Sequence, residues 1–138
     1  MFDQSNEFGA RVARRLREER IIWLVTIDSN QTPQPSPVWF YWDGESFLIY
    51  SRPDQPKLRN IADNPKVALH FDGDGRGSDI VIFTGEAHID ESAPPANEVA
   101  EYSAKYHDGI MRIKMTPDSF ARAYSIAIRV KPTKLRGH

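Results

Sequence analysis

The sequence predicts a mainly β fold: a six-stranded antiparallel barrel with helices at its periphery, formed as a single domain over residues 1–138. Three observations carry this expectation. Six apolar segments rich in β-branched and aromatic residues punctuate the chain. Most are joined by links of hairpin length. Strands and helices do not alternate regularly, as a parallel α/β sheet would require.

Residues 1–19 read as an N-terminal helix, because Phe8, Val12 and Leu16 recur every fourth position and Ser5 or Asn6 can cap it. The barrel is expected over 20–132. Its first strand is the continuous apolar run 21–28, followed by a turn at Ser29-Asn30-Gln31. The second is 34–42, whose prolines confine its start to a sheet edge. Asp43-Gly44 is a two-residue hairpin signal leading into 45–51. Pro53 and Pro56 suit a helix start, Leu58 and Ile61 give that helix an inner face, and Asn64-Pro65 stops it. A fourth strand at 67–73 is followed by a glycine-rich loop from Gly73 to Gly77. The fifth strand, 79–90, alternates Ile80/Ile82 with Val81/Phe83 as if buried on both faces. Residues 95–107 look helical, a short helix capped by Thr116 precedes Ala123, and 124–132 is the last strand.

Composition excludes several classes of function. The chain has no cysteine, so disulfides, thiolate catalysis and Cys-ligated metals are out. His70, His88, His107 and His138 are scattered without ligand spacing, so no metal site is expected. No Walker loop, G-x-S-x-G elbow or G-x-G-x-x-G fingerprint occurs. Net charge is −1, which offers no field for nucleic acid. There is no apolar stretch of membrane-spanning length and no secretory leader pattern, so a cytoplasmic protein is expected. Arg11, Arg14, Arg15, Arg17 and Arg20 form either a solvated, ion-paired helix face or an electropositive rim for an anionic ligand.

Two stretches bear on chemistry. A strand ends at Tyr50-Ser51 and a short helix begins near Asp54, so its first turn presents amide N–H groups and the positive end of a dipole. Lys57 lies in that turn, where a cation is unfavourable unless an anion sits between it, the Ser51 hydroxyl and the amides. Arg52 and Arg59 add charge nearby. The alternative is an exposed lysine at little cost. The second stretch is 36–42, where alternation sends Val38, Phe40 and Trp42 one way and Trp39 with Tyr41 the other. One set fills a barrel. The other covers a planar ligand, a second subunit, or ordinary core.

In order, T-P-Q-P-S-P-V-W-F-Y-W (32–42), L-I-Y-S (48–51), K-L-R-N-I-A-D-N-P-K-V-A-L (57–69) and F-T-G-E-A (83–87) resemble the pyridoxamine-5′-phosphate-oxidase-like split-barrel superfamily. The resemblance runs from about Arg20 to Lys131 and is greatest to the flavin/deazaflavin oxidoreductase branch, many of whose members use coenzyme F-420. It implies a six-stranded FMN-binding split barrel and a homodimer with cofactor sites between subunits. By the same resemblance, Pro37, Val38, Trp39, Phe40 and Tyr41 line the isoalloxazine ring. Tyr50, Ser51 and Lys57 hold the cofactor phosphate, Asn60 buttresses that loop, and Ile80–Phe83 with the last strand supply the partner's wall. The resemblance further implies F-420 or FMN as the cofactor, with hydride passing to a small unsaturated or quinone-like acceptor. No side chain is assigned a catalytic role. Pro56 stands where the true oxidase carries an arginine, and KPTKLRGH lacks the oxidase's terminal tryptophan and arginine, which points away from pyridoxamine phosphate oxidation itself. A carrier or sensor binding flavin, F-420 or haem without turnover would use the same fold.

Overall fold

The structure is a computed structural model describing residues 1–138. Seven strands form one antiparallel sheet, and four helices pack on it: α1 (Glu7–Glu18), β1 (Ile22–Ile27), β2 (Pro33–Val38), β3 (Tyr41–Trp42), β4 (Phe47–Ser51), α2 (Pro56–Asp63), β5 (Lys66–His70), β6 (Val81–Ile89), α3 (Ala100–Arg112), α4 (Pro117–Ala123) and β7 (Ile126–Gly137). The strand order is β2-β1-β5-β6-β7-β4-β3, a sheet curled into a half-barrel. No helix is long and apolar enough to cross a membrane.

The strand expected over 34–42 is instead two strands at opposite edges of the sheet, joined only by Trp39 and Phe40. Proline explains the first edge. β2 carries Pro33, Pro35 and Pro37 opposite Ile27, Val25 and Trp23 of β1. Since proline has no N–H, the donors to β1 must come from the alternate residues, and the prolines face the free edge. That edge has carbonyls but no amide hydrogens, so no further strand can pair with it. The barrel stays split there.

At the crossing, the peptide groups of Phe40 are satisfied by α3 rather than by a sheet. The Phe40 amide donates to the Tyr106 hydroxyl at 2.8 Å, and that hydroxyl reaches the Arg20 carbonyl, also at 2.8 Å. Lys105 Nζ donates to the Phe40 carbonyl at 3.1 Å and sits 3.6 Å from the centroid of the Phe40 ring.

The alternation expected at 38–42 survives the break and separates two cores. Val38 and Phe40, with Trp42 against them, join Leu24, Phe47 and Phe83 inside the barrel. Trp39 and Tyr41 face a second cluster built from Tyr50, Tyr102, Tyr106 and Phe120. Trp39 stacks on Tyr106 with ring centroids 4.5 Å apart, and its indole lies against Gly109, where a Cβ would come within 3.1 Å. The chain's own α3 and α4 therefore absorb most of the aromatic surplus. β4 is buried along its whole length because its two faces serve the two cores.

Other boundaries shift for local reasons. The Asp43-Gly44 turn is longer than two residues, because the Asp43 carboxylate accepts from the amides of Glu45 and Ser46. β7 continues past 132 to Gly137, pairing with β6 across an irregularity at Thr84/Gly85, where the Gly85 backbone lies against Lys131 and Pro132 with no room for a Cβ. α1 is capped by Asn6, which accepts from the Gly9 amide. Arg11 and Arg15 of α1 both pair with Asp79, and Arg15 also donates to the Asp72 and Asp79 carbonyls. Of the two readings of the arginine cluster, the ion-paired one describes these two residues.

Tyr106→Phe removes one hydroxyl and strands the buried Phe40 amide, so it should cost about 2 kcal/mol in urea unfolding with an unchanged m-value. Burial, with the Arg20 charge, lowers the Lys105 pKa from 10.5 to about 8, against the smaller opposing pull of Glu19. Between those values the unfolded chain binds more protons than the folded one, so stability should rise with pH across the window. Measured from pH 8 to 10, Lys105→Met should lose that rise.

Candidate functional site

β4 delivers Ser51 to the end of the sheet, and the chain turns through 52–55 with Asp54 at φ 63, a left-handed conformation unusual outside glycine. Pro56 then begins α2 with the fixed φ of a first helical position. The cap residue Gln55 makes no side-chain capping bond, and the first turn carries no acidic residue. Fewer amides are free here than the sequence suggests. Pro56 has none and the Leu58 amide is spent on the Gln55 carbonyl at 3.0 Å, which leaves that of Lys57. Lys57 itself is half-buried, forms no ion pair or hydrogen bond, and has its pKa lowered by burial.

Lys57 and Gln55 line both halves of a groove beside the β2 edge. One half is an aromatic chamber of about 340 Å³ walled by Pro37, Trp39, Tyr50, Tyr102, Phe120 and Tyr124, with Arg52 and Ile113 at its rim. The guanidinium of Arg52 lies over the Tyr124 ring at 4.7 Å. The other half, about 470 Å³, is lined by prolines and polar or charged residues, among them Asp28, Gln34, Ser36, Arg59 and Asn60. Volumes of this size fall within the range of about 300–1,000 Å³ for small-molecule sites.

Of the residues singled out in the sequence, Pro37, Val38, Trp39, Tyr50, Ser51 and Lys57 come together in the aromatic chamber, and Asn60 lines the polar one. The buried Asn60 amide donates to the Thr26 hydroxyl at 3.0 Å, tying α2 to β1. Two groups are oriented away from a phosphate role. The Tyr50 hydroxyl donates to the Pro94 carbonyl at 2.6 Å, and the Ser51 hydroxyl to the Arg52 carbonyl at 2.8 Å. Phe40 and Tyr41 do not reach the groove. Phe40 is fully buried in the barrel with both peptide groups taken by α3, and Tyr41 packs on the second core. The β2–β3 crossing carries both residues away from the two chambers.

The sequence reading missed Tyr102, Phe120 and Tyr124. A signal was present: Tyr102 and Tyr106 share one helix face, and a buried phenol needs a partner for its hydroxyl. Tyr106 finds one. Tyr102 does not, and the only other orphan among buried side-chain polar atoms is the Ser36 hydroxyl in the polar chamber. Both orphans thus belong to residues that line the groove. His, Asp and Glu side chains form no group of three suited to a metal ion.

The arrangement suits an elongated ligand with a planar, partly apolar head and an anionic group at Lys57. Chemically it can bind, orient and shield. It contains no paired acid and base poised for proton transfer.

The chain matches the family described as pyridoxamine 5′-phosphate oxidase over residues 8–138, and it belongs to that split-barrel family. No curated protein matches it. Among solved structures, a conserved hypothetical protein of Mycobacterium tuberculosis superposes with a TM-score of 0.72 at 22% identity, covering 92% of this chain and 81% of that one. An F420 reductase gives 0.65 at 24% identity, with 89% and 94% covered. HutZ, the haem storage protein of Vibrio cholerae, gives 0.66 at 15% identity, with 96% and 95% covered. At such identities the likeness is one of fold, and the fold occurs in both a reductase and a haem protein.

Lys57→Met removes a half-buried charge that has no partner within the chain, so the ligand-free variant should be at least as stable as the parent at pH 7. The folded pKa of Lys57 lies below 10.5, so the parent alone should gain stability from this residue as pH climbs towards that value.

Proposed function

We propose that this protein is an F-420- or FMN-dependent oxidoreductase acting on a small unsaturated or quinone-like molecule, and that it works as a homodimer. The observation that carries the reading is Lys57, a half-buried cation without a partner at a helix start, set at the join between an aromatic chamber and a polar one. A flavin or deazaflavin, once bound, supplies the hydride chemistry itself. The chain's part is to hold and shield it. Lys57 and the amide beside it would take the phosphate, Trp39 and Tyr124 belong to the ring's walls, and Phe120 excludes water. This explains a site with no acid–base pair.

The polar chamber beyond Lys57 favours F-420 over FMN, because FMN ends at its phosphate whereas F-420 continues into an acidic tail that Arg59 could meet. Pro56, at the first position of α2, supplies neither charge nor N–H where the true oxidase has an arginine, which supports a substrate other than pyridoxamine phosphate. Support for the dimer comes from the outer sheet face. Trp23, Val25, Ile27, Ala68 and Ile82 are only partly buried there, in the strands β1, β5 and β6, while the 17-residue core lies on the opposite face.

Absorbance of freshly purified protein, titration with F-420 and FMN, and light scattering test the proposal together. The expected result is a dimer that quenches the cofactor's fluorescence, and whose reduced cofactor is reoxidised when quinones or enones are added. Tight binding without acceptor-dependent reoxidation would leave a carrier and rule out the enzyme.

A further inference from the structure

Three tyrosines meet in the second core, and their hydroxyls differ. Tyr50 spends its hydroxyl on the Pro94 carbonyl, and Tyr106 spends its own between Arg20 and Phe40. Tyr102 lies between them, edge-on to Tyr50 at 5.0 Å and 4.9 Å from Tyr106 by ring centroids. It is completely buried, and its hydroxyl has no partner in the chain. Phenylalanine would fill the same volume without the penalty of a desolvated, unpaired hydroxyl. The fold alone therefore gives no reason for tyrosine here. Tyr102 also lines the aromatic chamber together with Pro37 of β2 and the neighbouring Phe120. The second orphan hydroxyl, on Ser36, lines the adjoining chamber.

We propose that the Tyr102 hydroxyl is a specificity-determining contact of the groove: it donates to a carbonyl oxygen or ring nitrogen on the edge of a planar heterocycle, and so selects a flavin-like ring over a haem. This rests on the reading that the groove holds a planar cofactor, and it adds which kind. Burial raises the Tyr102 pKa well above that of an ordinary phenol, so the group is a neutral donor throughout the working range. A flavin or deazaflavin presents carbonyls and ring nitrogens along its edge and can satisfy it. The rim of a porphyrin is hydrocarbon apart from its carboxylates. Those are drawn to Lys57, which would leave Tyr102 as unpaired as before. The free edge of β2, with carbonyls and no N–H groups, complements the same ligand by accepting from a ring N–H.

The test compares Tyr102→Phe with the parent in two measurements: melting without ligand, and titration with FMN, F-420 and haem. The expected variant melts at or above the parent temperature when empty. It binds the heterocycle that the parent binds at least about tenfold more weakly, equivalent to about 1.4 kcal/mol, and the shift of the bound ring's absorbance band changes. Any affinity for haem stays as in the parent. Equal affinity for the heterocycle overturns the inference while leaving the proposed function standing. An empty variant that melts lower overturns it too, since the hydroxyl would then serve the fold. An equal loss of haem affinity shows that the contact does not read the ring edge. A parent that binds neither FMN nor F-420 removes the proposed function and this inference together.

Discussion

The architecture turns on the two peptide groups that meet at Phe40. At Phe40 the chain must pass from one edge of the sheet to the other, and the amide and carbonyl exposed by that passage are buried. Unpaired, each would cost a sizeable fraction of a small domain's stability. Tyr106 and Lys105, neighbours on α3, satisfy them instead of a strand. That substitution holds α3 against the split and lays Trp39 flat on Tyr106. It also lets two independent cores meet along β4. Without it, two backbone polar groups would be buried unpaired.

The groove is a consequence of the same arrangement. An edge strand with prolines at every second position cannot be extended by another strand, so the space beside it stays open. α2 is tied to β1 through Asn60 and Thr26, and its start, with Lys57, closes one end. Packing on the other side is aromatic because α3 and α4 bring Tyr102 and Phe120 to the back of Trp39. The result is a cleft in which several polar groups go without partners from the chain: Lys57, Tyr102 and Ser36. Proteins tolerate such groups where they are used, and their concentration beside one groove marks it out from the rest of the surface.

Membership of the split-barrel family accounts for the scaffold but leaves the reaction to the site, since structures of this fold include both a reductase and a haem storage protein. Families whose chemistry resides in a bound ring need no conserved geometry of acid, base and nucleophile. What distinguishes their members is how the ring is gripped and what can approach it. In this chain the groove offers an unpaired lysine, a carbonyl-only strand edge and one buried phenol without a partner.

Much of this was legible in the residues. The apolar runs located the strands and helices, the 38–42 alternation sorted inward from outward side chains correctly, and dipole logic drew attention to Lys57 before any fold was known. These are local properties, set by periodicity and by the chemistry of a few neighbouring atoms. The split of 34–42 into two strands was not legible, because nothing local distinguishes a continuous strand from one whose halves pair with opposite edges. Nor could the sequence show that Phe40 and Tyr41 turn away from the groove, or that α3 and α4 cover the aromatic face. Those depend on α3, more than 60 residues downstream, supplying hydrogen bonds to the amide and carbonyl of Phe40. Local chemistry determined the elements and pointed to Lys57 at the start of α2. Only tertiary packing decided which aromatics became core, which became walls, and which buried hydroxyls were left without a partner in the chain.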